Sequence, residues 1–489
     1  MNDSDPMSSS LGPRVRAWAL PLATPGGREG SRYNLALGWL VPLMARAQDR
    51  ARQLGHGVLA SYTARIEVEG WPAARGEHYF VWEQPERCIA MLALGEAARI
   101  AAEGESRFEI VRGELDRLLG EAISEAEAGI EPGPVCLGGF GFDPSRPDDG
   151  AWPEFPDALV VAPELLFRRH DGVATLTLSA LVAAETDLEA VAARLRHEVK
   201  AALSVPQGEA AHASVALTPV STEDHEVWAA SVRALTEQIG RERVEKVVLA
   251  RRLEVSAATA FDVNATLERL RERYRNCTIF ATGSGGACFL GATPELLVRR
   301  EGRAIRADCM AGSAKRGRDA AADEALGAAL LADEKELREH ALVTTGIRES
   351  LAGLCEDVRL PETPTLRRMA NVQHLHTPIE ATTGGERHVL EFVEALHPTP
   401  AVAGLPRGRS LCLIREREGF GRGWYAGPIG WMDAKGDGEF AVALRSALVR
   451  GEKALLYAGC GIVAGSDPGR EYAESAIKLE AMLWALSGS

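Results

Sequence analysis

The chain has 489 residues, 46% of them apolar and 25% charged, enough for one large soluble body or two to three ordinary domains with a real core. A formal net charge of −14, with no cluster of Lys and Arg to offset it, excludes a nucleic-acid binder. The same charge requires any anionic substrate to be held by specific cations or a metal, because the overall field repels it.

The N-terminal MNDSDPMSSSLGP has neither a basic nor an apolar signal region, so residues 1–14 are expected to be a disordered tail. No apolar run approaches the ~18 residues needed to cross a membrane. The eight cysteines form no CxxC pair and read as free, mostly buried thiols of a reducing compartment, which places the chain in the cytoplasm.

From 15 to about 220 the pattern alternates helix and strand without a catalytic motif, and this stretch is taken as the N-terminal half of one body. Residues 36–53 predict a helix with a boundary at Pro42, 76–84 and 88–95 predict strands, and 105–128 predict an amphipathic helix. The glycines of CLGGFGFDP (136–144) lack the Lys-Ser/Thr of a phosphate loop and suit a strand that passes close to another backbone. Residues 158–181 predict two strands joined at His170-Asp171-Gly172. The small, polar stretch 204–224 is a candidate junction, and 221–489 is assigned as the catalytic region.

That region opens with a helix (226–244) and a strand (246–255), followed by a helix near 263–274 and a strand pair turning at the glycines of 283–286. Residues 309–318 read as a loop, 333–354 as a helix, and the remainder mainly as strands up to a final helix after Pro468. Strands in blocks, without strict βαβ rhythm, predict an α+β fold with large layered antiparallel or mixed sheets and helices outside.

Several charged residues sit in apolar settings. Lys246 opens an apolar strand, where burial would suit it to act as a base. Glu295 precedes Leu296, Leu297 and Val298 and could be a protonated acid in an apolar pocket. Glu339 lies at the apolar edge of an acidic helix, and Glu471, Glu474 and Lys478 share one helical face. Carboxylates from two helices plus water suit Mg²⁺. Arg445 lies in what reads as an apolar strand, where a guanidinium needs an anion. Singly, each fits a solvated or salt-bridged charge. Together they supply a base, an acid, a metal clamp and an anion fork.

In order along the chain stand KVVLAR (246–251), GATPELLV (291–298), AGSAKRG (311–317), EHALV (339–343), VQHLHTPIE (372–380), LHPTPAVAGLP (396–406), RGWYAGPIGW (422–431), AGCGIV (458–463) and EYAESAIKL (471–479). Together they resemble the chorismate-utilising enzymes, and within them the isochorismate synthases, from about residue 226 to the C-terminus. The resemblance implies the layered α+β fold of anthranilate synthase component I and a Mg²⁺-dependent chorismate site. By motif, Lys246 matches the lysine that activates water for attack at C2, and Glu295 the acid at the departing C4 hydroxyl. Glu339 and Glu474 match the Mg²⁺ ligands, with Glu471 as an additional or water-mediated one. Arg445, Lys478 and the backbone around Gly312, Ser313 and Gly459 match groups that bind substrate carboxylates, and His374 a histidine close to substrate.

Anthranilate synthases resemble the chain less, since they carry Gln at the position of Lys246 and AGT for AGS. Aminodeoxychorismate synthases place a lysine where Ala311 stands. The runner-up is salicylate synthase, which shares Lys and Glu but tends to carry Thr at the position of Ala401. A catalytically silent binding protein of the same fold is the alternative outside catalysis. The resemblance implies no obligatory glutaminase subunit and a monomer or homodimer. It leaves menaquinone or siderophore formation as the pathway, with the long N-terminal half leaning towards menaquinone.

Overall fold

The computed structural model describes residues 29–488 apart from 69, 132, 146–148, 205–213, 223–224 and 242–243. The tail expected at 1–14 and much of the junction at 204–224 lie outside the described residues. Two large sheets dominate, one of 13 strands and one of 10. Pairing is antiparallel almost throughout, with Val58–Arg65 and Ile123–Ala126 the parallel exception among the described strands. Strands from both halves of the chain interleave in each sheet. Tyr79–Gln84 pairs with Thr278–Ser284 in the larger one, and Val135–Phe140 with Pro428–Asp433 in the smaller.

The alternation of side chains along the strands builds the layers. Phe80 and Trp82 of one strand enter the core between the sheets, where Phe140, Phe289 and Phe440 join them. Val81, between them, enters a second core on the opposite face. Helices Glu29–Leu54, Leu188–Leu203 and Pro468–Ser487 cover that second core with Leu40, Leu195 and Met482. Helices Arg107–Gly120, Glu334–Ala352 and Val389–Leu396 bring Val111, Val343 and Phe392 into the first core. The α+β layering expected from the sequence is what the chain adopts. Among the described residues, no helix is long and apolar enough to cross a membrane.

Several local expectations change. The first helix runs through Pro42, because Leu40, Leu43, Met44 and Ala47 are buried on the sheet and their packing outweighs one lost hydrogen bond. The helix from 107 stops at Gly120, and Ile123–Ala126 pairs instead with the free edge of Val58–Arg65. Residues 158–181 form three strands, since Ala158–Ala162 lies in the small sheet and Leu165–His170 in the large one. The hairpin turn beyond them forms as expected, with Asp171 and Gly172 both at positive φ. Residues 309–315 are no loop. They continue the strand Ala304–Lys315, whose pairing with Val372–Thr383 shifts between Met310 and Ser313 around Gly312 at φ +81°. Two helices, Val389–Leu396 and Arg407–Arg417, interrupt the strands of the last third.

The glycines of 136–144 do pass close to another backbone. A Cβ on Gly138 would lie 2.0 Å from the Leu159 carbonyl oxygen. Gly404 is as constrained and closer to the site, at φ +123° and with a Cβ position 2.1 Å from the Lys246 carbonyl oxygen. Gly404→Ala is therefore expected to cost about 3 kcal/mol or more of unfolding free energy. Gly385→Ala, where nothing lies within 4 Å, is expected to change it by less than about 0.5 kcal/mol. Denaturant melts of the two variants giving equal shifts would contradict this account of the Lys246 strand.

Candidate active site

The chain crosses from the large sheet to the small one, or back, at two adjacent places, and each crossing carries a charged residue. Ala287–Thr293 belongs to the large sheet and Leu296–Glu301 to the small one, with Glu295 at the step between them. Gly438–Val442 and Ser446–Arg450 make the reverse step through Arg445. Arg445 is thus not inside a strand, as the sequence suggests. It sits at φ +50°, where the chain must turn sharply to change sheets. The steps are bonded to each other: the Val442 N–H donates to Glu295 O at 3.1 Å, Ala292 N–H to Arg445 O at 3.1 Å, and the Thr293 hydroxyl to Val442 O at 2.6 Å.

Beside these crossings opens a cleft of about 870 Å³, counting its open mouth. Lys246, Glu295, Gly312, Ser313, Glu339 and His374 all line it, as do Arg445, Gly459, Glu471, Glu474 and Lys478. The geometry thus brings together every candidate read from the sequence, from strands of both sheets and from the helices Glu334–Ala352 and Pro468–Ser487.

Lys246 is 1% exposed, and its Nζ lies 2.8 Å from Glu339 Oε1. The neighbouring strand meets this pair at Gly461, where a Cβ would come within 2.4 Å of Glu339 Oε1. Glu295 is 4% exposed, with Oε1 buried and without a hydrogen-bond partner. Burial pushes its carboxyl up to about 8, against a smaller opposing pull from Lys246.

The final helix builds the acidic wall. Glu474 accepts from Lys478 at 2.8 Å and from the Ser313 hydroxyl at 2.7 Å. Burial raises its carboxyl, but Lys478 and Ser313 outweigh that and hold it at about 2. Burial and the neighbouring Glu474 charge push Glu471 up to about 7, against smaller opposing pulls from Lys335 and a hydrogen bond with the Ser466 side chain. Glu336 is raised too, by burial and by Glu339. Hard carboxylate oxygens from two helices, more than the adjacent ammonium groups fully neutralise, are a donor set suited to Mg²⁺. Cys460 lies near Glu471 and Glu474. Burial pushes its thiol far up and its Sγ donates to the Glu471 carbonyl at 3.2 Å, so it is no ligand for a hard cation.

An anion fork faces this wall. Arg445 Nη2 donates to His374 Nε2 at 3.0 Å, and His374 Nδ1 lies 3.2 Å from the Gly312 carbonyl. Since Arg can only donate, the imidazole accepts through Nε2 and donates through Nδ1. Burial and then Arg445 hold it far below its ordinary pKa, hence neutral. Arg445 Nη1 is buried and without a partner. Lys478 Nζ also donates to the Gly459 carbonyl at 2.8 Å.

Sequence reasoning missed Lys335, Glu336 and Tyr425, which line the same cleft. Lys335 and Glu336 stand four and three residues before Glu339 on one helix, so same-face spacing could have found them. Tyr425 lies in RGWYAGPIGW, is buried, and has its phenol pushed up to about 12 by that burial.

The Glu295 shift has a consequence for stability. Between its ordinary value of 4.5 and about 8, the folded protein keeps a proton that the unfolded chain has released. This group's share of stability therefore falls as pH rises through that window and is level outside it. Glu295→Gln is expected to gain stability relative to wild type as pH rises from about 5 to about 8. Thermal midpoints that run parallel across this range would show that Glu295 is not held protonated.

A family model described as chorismate binding enzyme matches residues 47–487. Isochorismate synthase MenF of Bacillus subtilis is 34% identical over 456 residues, covering 90% of this chain and 96% of the relative. The salicylate biosynthesis isochorismate synthase of Pseudomonas aeruginosa is 39% identical over 462 residues, covering 90% and 93%. Among solved structures, the menaquinone-specific isochorismate synthase MenF of Escherichia coli superposes with a TM-score of 0.74 at 27% identity, over 91% of this chain and 99% of that one. Anthranilate synthase component I of Streptococcus pneumoniae, with a TM-score of 0.66 at 21% identity, shares the fold. The match runs through both sheets and every cleft residue named above, and on that ground the chain belongs to the chorismate-binding enzymes.

Proposed function

We propose that this enzyme is an isochorismate synthase, an isomerase that adds water at C2 of chorismate and expels the C4 hydroxyl as water. The observation that carries the proposal is the pairing of a buried amine, Lys246, with a buried carboxyl kept protonated near neutral pH, Glu295, in one cleft. The attacking water bonds to C2 and gives its proton to the Lys246 amine. Glu295 gives its proton to the C4 oxygen, that C–O bond breaks, and the ring double bonds shift. One water enters and one leaves, so substrate and product are isomers. Lys246 rests in an ion pair with Glu339, 2.8 Å away, and sheds its own proton to solvent before it acts as the base.

Arg445, with a free Nη1, and Lys478 supply the cationic side for a dianionic substrate. Glu339 and Glu474, with Glu471 directly or through water, would hold Mg²⁺. When bound, the cation supplies positive charge for the ring carboxylate and offsets the acidic wall. Water as nucleophile removes the need for a glutaminase partner. Free thiols at Cys136, Cys277, Cys288, Cys309 and Cys460, all buried, support a cytoplasmic setting.

Salicylate synthase is the second reading. Ala401 lines the cleft at the position where the resemblance puts Thr in those enzymes, which favours stopping at isochorismate. The length of the N-terminal half does not select menaquinone, since the salicylate-biosynthesis relative is covered over 93% of its length. The proposal therefore ends at isochorismate.

Purified protein given chorismate and Mg²⁺, without ammonia, is expected to form isochorismate reversibly, and to form none without metal. Salicylate with pyruvate on the chromatogram would move the assignment to the second reading. Lys246→Gln is expected to lower kcat by about 10²-fold or more, and wild-type activity to fall as pH rises through about 8, where Glu295 loses its proton. A Lys246→Gln variant as fast as wild type would sink the mechanism.

A further inference from the structure

Each carboxylate assigned above to the cation has an ammonium beside it. Glu339 lies 2.8 Å from Lys246, Glu474 lies 2.8 Å from Lys478, and Glu471 lies 3.6 Å from Lys335. The three lysines differ in how they are held. The side chains of Lys246 and Lys478 are 1% and 17% exposed, and Lys478 is also tied to the Gly459 carbonyl. Lys335 is 42% exposed at the cleft mouth and reaches Glu471 and, at 3.5 Å, Glu336. The two buried lysines have roles in the chemistry proposed above, whereas Lys335 has none.

The place of Lys335 on its helix supports a role towards the wall. It stands in the first turn of Glu334–Ala352, just after the Asp333 cap. A cation there faces the positive end of the helix dipole, which disfavours it locally. A residue that breaks the local preference yet pairs with a buried carboxylate of the wall is serving that carboxylate. Its long flexible stem can carry the ammonium out to water without disturbing the helix.

Building on the Mg²⁺ site of the proposed function, we infer that Lys335 is a resident counter-ion, an ammonium held at Glu471 that a divalent cation displaces when it binds. A monovalent and a divalent cation cannot share the space beside Glu471 without strong repulsion. With no metal bound, the ammonium limits the mutual repulsion of Glu336, Glu471 and Glu474. When metal arrives, the same charge opposes it, so Lys335 weakens the intrinsic affinity of the wall for cations.

The test is calorimetric titration of the full-length protein with Mg²⁺ and no chorismate, so that turnover plays no part. Lys335→Gln is expected to tighten Mg²⁺ binding by about three- to tenfold at moderate salt, while Lys335→Arg, which keeps the charge, stays within about twofold of wild type. Unchanged or weaker binding by Lys335→Gln would overturn the inference, as would equal tightening by both variants. A wild type that binds no Mg²⁺ at all would remove the metal site of the proposed function together with this inference.

Discussion

The site depends on two sheet crossings locked to each other. Thr293 to Leu296 and Val442 to Ser446 each carry the chain between the sheets, and bonds from the Val442 and Ala292 N–H groups and the Thr293 hydroxyl fasten one to the other. At a crossing the chain leaves the repeating ladder, so a side chain can point along the gap between sheets instead of into either core. This is how Glu295 and Arg445 come to be buried yet face a common cleft. The strained φ of Arg445 belongs to the same geometry, because the sharp step that aims the guanidinium also hands Ser446 to the partner strand.

Around these crossings the cleft solves a charge problem. On a chain of net charge −14, a dianion has to meet local positive potential, and the wall that would hold a divalent cation is itself acidic. Ion pairs at Lys246–Glu339 and Lys478–Glu474 keep buried charges compensated. Glu295 is treated oppositely. It has no hydrogen-bond partner on Oε1, so burial is answered by keeping a proton. Two carboxyls in one cleft, Glu474 held at about 2 and Glu295 pushed to about 8, are thereby kept in opposite protonation states near neutral pH.

Much of this was legible in the sequence, for identifiable reasons. Lys246 and Glu295 stood out because a charge at the start of an apolar run breaks the pattern that burial imposes, and Glu471, Glu474 and Lys478 because helical spacing fixes their common face. The layered class followed from strands arriving in blocks. What stayed hidden depends on contacts distant in sequence. The bulge at Gly312 looks like a loop until the whole length of Val372–Thr383 is seen beside it. Arg445 looks like a strand residue because apolar positions continue on both sides, although one side packs in each sheet. Pro42 looks like a helix break because local propensity cannot register the burial of Leu43 and Met44.

The Gly312–Ser313 bulge joins the two halves of the site. The Gly312 carbonyl receives His374 Nδ1–H, which leaves Nε2 to accept from Arg445, while the next residue, Ser313, gives its hydroxyl to Glu474. One irregularity in a strand thus sets the anion fork on one side and a carboxylate of the acidic wall on the other. A regular register would turn alternate side chains to opposite faces and could not serve both. The arrangement also defines what His374 does. A buried imidazole with one nitrogen donating to a carbonyl and the other accepting from a guanidinium has no site left to take a proton. It holds Arg445 at a fixed angle, which agrees with a proposal that gives proton transfer to Lys246 and Glu295.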